Sequence, residues 1–249
     1  MTTARISGRA FDHLLSGGPR LTVGMITADL GHLADEMGVL ASAGVELVHI
    51  DVMDGFFCPM FTVGPPVVGA IRSPLLKDVH LMIDDPLSKV DAFVAAGADL
   101  VTFHVEGARQ PHRVLRVLGD AVNANDPERG IVRGIALNPS TPVDVIEPLL
   151  DESELVVLLA VDPGWGGQAF SASTERRLDR ARSLIEASGR PILLGVDGGV
   201  TRDNVAHIAA MSVDLIVSGS AIFDGQAAAE NATAMLDLVR AARPAFAAV

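Results

Sequence analysis

Eight apolar runs rich in β-branched residues recur along the chain, and segments with helical periodicity separate most of them. The runs lie at about residues 21–26, 46–52, 77–83, 99–105, 130–137, 155–161, 191–196 and 214–218. Strands that alternate with helices in this way are parallel, and strands that are apolar nearly throughout belong to a sheet covered on both faces. Eight such units in 249 residues predict an α/β fold of the (β/α)8 TIM-barrel type. A doubly wound open sheet is the second possibility.

A weak internal repeat supports a repeating βα unit. AGVELVHIDVMDG at 43–55 resembles AGADLVTFHVEG at 96–107, and MSVDLIVSGSAIF at 211–223 is a looser third copy. Gly44 and Gly97 occupy the position of a C-capping glycine, where a helix ends before the next strand. No long linker or low-complexity segment divides the sequence. We therefore expect an N-terminal arm at 1–19 followed by a single barrel domain at 20–249.

The charge and the cysteine content narrow the classes of function. The formal net charge is −12, which argues against nucleic-acid binding because such binding needs a basic face. A small phosphate ligand is still compatible, since backbone N–H groups can hold it. Cys58 is the single cysteine, no apolar run approaches the roughly 20 residues that span a bilayer, and the N-terminus lacks a signal-peptide pattern. We therefore expect a soluble cytoplasmic protein that binds no membrane.

Histidines and aspartates interrupt the ends of three otherwise apolar strands. His49 and Asp51 share one face of the second strand because side chains alternate. His80 and Asp197 lie near the ends of the third and seventh strands. In a barrel these four side chains could converge at the end where active sites lie, and two imidazoles with two carboxylates suit a divalent metal such as Zn, Mn, Fe or Co. Each of them alone would be explained as well by a hydrogen-bonded structural residue.

Other polar and aromatic residues have less specific interpretations. His104 and Glu106 could support the metal ligands or could simply be polar strand-end residues. Asp54 is typical of a turn where a strand gives way to its loop, and Trp165 could be a lid or an anchor for its loop. The histidines expected on the surface are His13, His32, His112 and His207.

Three glycine-rich loops follow the last three predicted strands. They are DPGWGGQAF at 162–170, DGGV at 197–200 and SGSAIF at 218–223. Glycine lets backbone N–H groups come close to a ligand, and barrels often bind phosphate at the loops after strands seven and eight. Any one of these loops could be only a tight turn. The three together predict a phosphate cradle that needs no lysine.

Taken together, these motifs are similar to those of the ribulose-phosphate 3-epimerase family. The matching stretches are HIDVMDG, VGPPVV, DVHLM, AGADLVTFHVE, IALNPSTP, VDPGWGGQAF, VDGGV and SGSAIF, over about residues 22–224. The resemblance implies a (β/α)8 barrel with one divalent metal. By position, His49, Asp51, His80 and Asp197 match the metal ligands, and Asp51 and Asp197 also match the two acid/base residues. The matches to the phosphate-loop region are Gly164, Trp165, Gly166, Gly167, Gly198, Gly199, Gly219 and Ser220.

The surroundings of the sugar match the family less well. Met53 and Met82, otherwise ordinary core fillers, match two of the methionines that line the reacting centre, and Leu159 replaces a third. Gly24 stands where the family usually has a substrate-contacting serine, and MDGFFCPM stands in place of MDGHFVPN. The resemblance therefore implies a substrate pocket that is more apolar than is usual for the family.

The activity that the resemblance implies is an isomerase reaction, the 3-epimerisation of D-ribulose 5-phosphate to D-xylulose 5-phosphate or of a related ketose phosphate. Two carboxylates on opposite faces can move the proton next to the ketone, and a metal can stabilise the enediolate charge. A lyase or decarboxylase on the same barrel and a non-catalytic phosphometabolite-binding protein are the alternatives. Lys77 and Lys89 are the only lysines and neither lies at a predicted catalytic end, so a Schiff-base mechanism is not expected. The resemblance also leads us to expect a homo-oligomer.

Overall fold

Eight parallel strands close into a barrel in the computed structural model, which describes residues 8–225 and 227–242. The strands are β1 Arg20–Gly24, β2 Leu47–Met53, β3 Leu76–Met82, β4 Leu100–His104, β5 Val132–Leu137, β6 Leu155–Leu159, β7 Leu193–Asp197 and β8 Leu215–Ser218. Each strand pairs with the next, and β8 pairs with β1. The predicted (β/α)8 TIM barrel is confirmed, and the open sheet is wrong.

Helices follow most of the strands and pack on the outer face of the barrel. The α-helices are α1 Ala10–Leu15, α2 Leu33–Ser42, α3 Pro65–Ala70, α4 Val90–Ala95, α5 Pro111–Asp120, α6 Thr174–Ser188, α7 Val205–Ala209 and α8 Ala228–Ala241. Gly44 and Gly97 have φ values of +88° and +87° just after α2 and α4, which confirms both predicted C-caps. Among the described residues, no helix is both long enough and apolar enough to cross a bilayer.

The connection between β5 and β6 departs from the repeating unit. It is the 3₁₀-helix Val143–Leu149 and contains Pro148. Proline has no backbone N–H and clashes with the preceding turn of an α-helix. An α-helix is therefore disfavoured at this position, although the buried side chains of Val143, Ile146 and Leu149 still cover the barrel.

Apolar side chains fill the amino-terminal end of the barrel. The inward-facing residues of this layer are Leu47, Leu76, Leu100, Val132, Leu155, Leu193 and Leu215. Helix α1, which lies within the segment 1–19, packs Phe11 and Leu14 against the same layer. Burying each of these two side chains contributes roughly 1.5–3 kcal/mol. With this end of the barrel filled, ligands have access at the carboxyl ends of the strands.

Candidate active site

The strand register places the predicted site residues on the inner face of the barrel at its carboxyl end. Asp51 pairs with His80 across β2 and β3, and Met53 pairs with Met82 one step further along the same strands. On the neighbouring strands the register pairs are Gly24 with His49 and Leu159 with Asp197. Side chains in register on adjacent strands point to the same face of a sheet. The inward-facing side chains of adjacent strands therefore form a ring around the barrel axis.

Four of these side chains meet in one buried cluster. The possible ligand atoms of His49, Asp51, His80 and Asp197 all lie within 4.8 Å of one another. His49 Nε2 lies 3.2 Å from His80 Nδ1 and 3.3 Å from Asp51 Oδ1. His80 Nδ1 lies 3.6 Å from Asp197 Oδ2. Ligands about 2.1 Å from a tetrahedral metal are about 3.4 Å apart, so the donor set and its spacing suit a divalent cation.

The two carboxylates of the cluster differ in their affinity for protons. Burial acts to raise the pKa of Asp51, but the neighbouring imidazoles of His49 and His80 outweigh it and lower that pKa. Burial raises the pKa of Asp197, and the charge of Asp51 adds to this effect. Pairs of acids whose environments separate their pKa values are typical of acid/base chemistry. The cluster can therefore hold one carboxylate ionised while its neighbour is more readily protonated.

A buried carboxylate holds His49 from behind. Asp78 Oδ2 lies 2.7 Å from His49 Nδ1, and the Asp78 side chain is 3% exposed. Burial disfavours the charged form of His49, yet the carboxylates of Asp78 and Asp51 raise its pKa well above the ordinary value. A carboxylate behind a metal-binding histidine fixes the proton on the distal nitrogen and leaves the other nitrogen free to ligate.

His80 is held by a longer chain of polar groups. Its Nε2 lies 3.0 Å from Nε2 of His104, and His104 Nδ1 lies 3.2 Å from Glu106 Oε2. Burial lowers the pKa of His104 to about 4. Burial would raise the pKa of Glu106, but hydrogen bonds from His104 and from Thr141 lower it to about 2. A neutral imidazole thus stands between His80 and an anionic carboxylate.

Apolar residues surround the cluster. Met82 and Leu159 are each 2% exposed, and Met53 is partly buried beside them. Gly24 lies against the loop after β8, because a Cβ added to it would be 3.4 Å from Gly219 Cα. The structure therefore places the four predicted pocket residues at the carboxyl ends of the strands. Gly24 and Leu159 are in register with His49 and Asp197, and the two methionines lie one step beyond Asp51 and His80.

The three glycine-rich loops are neighbours around the same end of the barrel. Ser218 Oγ donates a hydrogen bond to the carbonyl of Val200, which joins the loop after β8 to the loop after β7. A Cβ on Gly199 would lie 2.7 Å from Phe170 Cα, which brings the loop after β6 against the loop after β7. Within the described residues, the backbone N–H groups of Gly199, Gly219 and Ser220 pair with no protein acceptor. These donors are available to an anionic group.

Backbone hydrogen bonds to Asp54 hold the loop after β2, and this loop presents aromatic side chains to solvent. Asp54 accepts hydrogen bonds from the backbone N–H groups of Phe56, Phe57 and Asp84, as expected of a turn residue. Phe56 is nevertheless 86% exposed and Phe61 is 78% exposed. In the loop after β6, Trp165 is 52% exposed, and its carbonyl accepts a hydrogen bond from Gln168 Nε2.

Both lysines lie away from the cluster. Lys77 Nζ is buried between the barrel and its helices, where it donates to the carbonyls of Val68 and Ala96. Lys89 Nζ donates to the carbonyls of Asp84 and Asp85 at the surface. Lys89 thus lies beside the loop after β3, at the carboxyl end of the barrel, but among the described residues neither lysine forms a hydrogen bond or ion pair with the four clustered residues. The histidines expected at the surface are partly or largely exposed, namely His13, His32, His112 and His207.

Sequence reasoning gave no role to several residues that shape the site. Asp78 precedes His80 by two positions and therefore shares its face, which is a usable signal for a supporting carboxylate. Thr62 Oγ1 donates to the carbonyl of Asp51 and accepts from the backbone N–H of Met53. Arg177, on α6, donates to the carbonyl of Leu159. The contacts of Thr62 and Arg177 join segments that are separated along the chain, so the sequence pattern does not predict them.

Solved structures show the same fold at low sequence identity. KGPDC from Streptococcus mutans in complex with D-R5P is 18% identical, with a TM-score of 0.67, over 91% of this chain and 99% of that chain. 3-Hexulose-6-phosphate synthase from Salmonella typhimurium is 16% identical, with a TM-score of 0.58, over 90% and 100% of the two chains. Likeness at this level of identity concerns the architecture of the barrel alone.

Similarity in sequence identifies the family, whereas similarity in structure shows only the fold. Residues 20–223 match the model of the ribulose-phosphate 3 epimerase family. Ribulose-phosphate 3-epimerase 1 of Cupriavidus necator is 39% identical over 82% of this chain and 84% of its own length, and ribulose-phosphate 3-epimerase of Bacillus subtilis is 37% identical over 80% and 89%. The putative epimerase LsrE of Salmonella typhi is 38% identical over 85% and 84%. The chain belongs to the ribulose-phosphate 3-epimerase family.

Proposed function

We propose that this protein is a metal-dependent ketose-phosphate 3-epimerase, with D-ribulose 5-phosphate or a closely related ketose phosphate as its substrate. The observation that carries the proposal is the buried cluster of two histidines and two aspartates at the catalytic end of the barrel, in a chain that belongs to an epimerase family. Two carboxylates with separated proton affinities suit a reaction that moves one proton off a carbon atom and another onto it.

The residues that would hold the metal are His49, Asp51, His80 and Asp197. Nitrogen and oxygen donors of this kind suit Zn, Fe, Mn or Co. When bound, such an ion acts as a Lewis acid that stabilises negative charge on the substrate oxygens and on the ligating carboxylates.

Asp51 and Asp197 are the proposed acid/base residues. In one direction, ionised Asp51 takes the proton from C3 of the ketose, and the electron pair moves to the neighbouring carbonyl to give an enediolate. Protonated Asp197 then returns a proton to C3 from the other face, which inverts the configuration. The lowered pKa of Asp51 and the raised pKa of Asp197 favour these starting states, and the reverse direction exchanges the two roles.

The phosphate group is proposed to bind at the three glycine-rich loops. The backbone N–H groups of Gly199, Gly219 and Ser220, in the loops after β7 and β8, pair with no described acceptor, and a set of such donors can bind an anion without a basic side chain. The proposed contacts are Gly164, Trp165, Gly166, Gly167, Gly198, Gly199, Gly219 and Ser220. This arrangement explains how a protein of formal charge −12 could bind a phosphorylated sugar.

The pocket around the reacting carbon is proposed to include Gly24, Met53, Met82 and Leu159. The apolar side chains of Met53, Met82 and Leu159 would keep water from the enediolate, and Gly24, in register with His49, lets the loop after β8 come close to β1. The homo-oligomeric state, the cytoplasmic location and the absence of nucleic-acid binding remain predictions from the sequence.

Solvent deuterium exchange at C3 tests the proposal. The metal-loaded protein would be incubated in D₂O with ketose phosphates of four to six carbons, and exchange would be followed by NMR. We expect exchange at C3 with one ketose phosphate and formation of its C3 epimer. The absence of exchange with every member of the panel would contradict the epimerase assignment. Purified protein that binds no divalent metal after supplementation would instead favour a non-catalytic binding protein.

A further inference from the structure

Both histidines of the cluster have a second ring nitrogen that points away from it, and the two are supported in different ways. His49 Nδ1 meets the carboxylate of Asp78 directly at 2.7 Å. His80 Nε2 meets another imidazole, His104 Nε2, at 3.0 Å. Two nitrogens can share a hydrogen bond only if one carries the proton and the other offers its lone pair. This contact therefore constrains where the protons of both rings lie.

Ligation of a cation by His80 would fix the direction of each hydrogen bond from His80 to Glu106. If His80 offers the lone pair of Nδ1 to a cation, its proton is on Nε2, and Nε2 donates to His104 Nε2. The proton of neutral His104 is then on Nδ1, which donates to Glu106 Oε2 at 3.2 Å. The other oxygen of Glu106 accepts from the backbone N–H of Asn138 at 2.7 Å and from Thr141 Oγ1. In this series of hydrogen bonds, every donor meets an acceptor.

Packing alone does not require a histidine at position 104. Its side chain is completely buried, with the His80 ring stacked on it at 5.0 Å and the Phe57 ring at 4.7 Å. An apolar residue could fill this space without the cost of burying polar nitrogens. Compared with an apolar residue, His104 adds two polar contacts, one with His80 and one with Glu106.

We propose that His104 and Glu106 are positioning residues that fix the tautomer and the ring orientation of His80 and thereby tighten metal binding. The inference rests on the proposed metal site and extends it beyond the four ligands. Through Thr141 and Asn138, the relay also joins His80 to the loop after β5. That loop is held in turn by Arg177, which donates to the carbonyls of Asn138 and Leu159.

The substitution Glu106→Gln tests the direction of the relay. The carboxylate accepts hydrogen bonds on both oxygens, whereas a glutamine has one acceptor oxygen and one donor nitrogen. If the amide nitrogen faces His104, the proton of His104 is forced onto Nε2, where it opposes the proton of His80. His80 must then move its own proton to Nδ1, which is the nitrogen that should ligate the metal.

The first measurement is the dissociation constant for Zn²⁺, obtained by competition with a chromophoric chelator. Because loss of such support typically weakens metal binding about 10- to 100-fold, we expect this loss in Glu106→Gln and in His104→Leu. His104→Gln should retain most of the affinity, since glutamine offers both an acceptor and a donor. Glu152→Gln is the matched control, because Glu152 Oε2 contacts His112 Nδ1 at 2.9 Å far along the chain from the cluster. We expect it to bind Zn²⁺ like the wild type.

The second measurement needs no variant. Imidazole ¹⁵N NMR of the zinc-loaded protein reports which nitrogen of each histidine carries the proton. We expect the Nδ1–H form for His104 and the Nε2–H form for His80. A doubly protonated or Nε2–H His104 would overturn the relay, and so would His104→Leu with unchanged zinc affinity. Wild-type protein that binds no Zn²⁺ would overturn the metal site itself, and this inference with it, so the two failures are distinguishable.

Discussion

The contact between two glycine-rich loops gives a sharp test of the phosphate cradle. Gly199 has a φ of +66°. A Cβ at this position would overlap the backbone N of Phe170 and would lie 2.7 Å from its Cα and 3.0 Å from the carbonyl carbon of Ala169. These are backbone atoms, which cannot rotate out of the way as a side chain can. The substitution Gly199→Ala must therefore displace the loop after β6 from the loop after β7.

Gly189 provides a control that separates the cost of the left-handed backbone conformation from the cost of the steric overlap. Gly189, after α6, has nearly the same φ of +65°, and a Cβ added there meets nothing within 4 Å. Alanine in the left-handed region costs about 1–2 kcal/mol, which is the whole expected cost of Gly189→Ala. Overpacking adds about 1–3 kcal/mol. Gly199→Ala should therefore lower the free energy of unfolding by about 2–5 kcal/mol.

The functional consequence should appear in steady-state kinetics with the phosphorylated ketose. Loss of one hydrogen bond to a charged group costs about 1.5–3 kcal/mol, which corresponds to a kcat/KM about 10- to 150-fold lower for Gly199→Ala. Gly189→Ala should keep the wild-type kcat/KM. Denaturant melts of both variants measure the stability part. Equal stability losses in the two variants, or a wild-type kcat/KM in Gly199→Ala, would contradict the proposed contact of this loop with the phosphate.

Three further predictions concern other parts of the structure. Asp51→Asn should leave the barrel folded, as judged by circular dichroism, and lower kcat about 10²- to 10⁴-fold, because it removes a proposed general base; turnover at the wild-type rate would contradict that role. Lys77→Met should lower the free energy of unfolding by about 1–3 kcal/mol, because the carbonyls that Lys77 caps lose their donor. Lys89→Met, at the surface, is the control and should cost less. For Glu106, hydrogen bonds hold the pKa at about 2, below the ordinary 4.5. Its contribution to stability is therefore present above about pH 4.5 and is lost as the pH falls toward 2. In urea unfolding of the metal-free protein, the gap between wild type and Glu106→Gln should narrow from pH 6 to pH 3, and a gap that is constant with pH would count against this contribution.

Local patterns predict much of the fold and the main cluster. The alternation of apolar runs with amphipathic segments locates all eight strands, and the period of two puts His49 and Asp51 on one face. The convergence of His80 and Asp197 on that face follows only after the barrel is assumed, because barrel closure and register decide which strand ends meet.

Contacts that depend on three-dimensional placement are harder to predict. His104 meets His80 across two paired strands, and Glu106 reaches the loop after β5, 35 residues further along the chain at Thr141. Helix α1 packs against the amino-terminal layer of the barrel, although its six residues carry no periodic signal strong enough to assign a partner. In each case the residue is visible in the sequence, but its contact partner is known only from the three-dimensional structure.

In the proposed reaction, two carboxylates on opposite faces of the substrate exchange its C3 proton. The most direct measurement is the deuterium content at C3 of both product and remaining substrate, early in a reaction of the metal-loaded protein in D₂O. We expect the product to carry solvent deuterium at C3 while the remaining substrate is still unlabelled. Product that retains the substrate's own proton at C3 would contradict it.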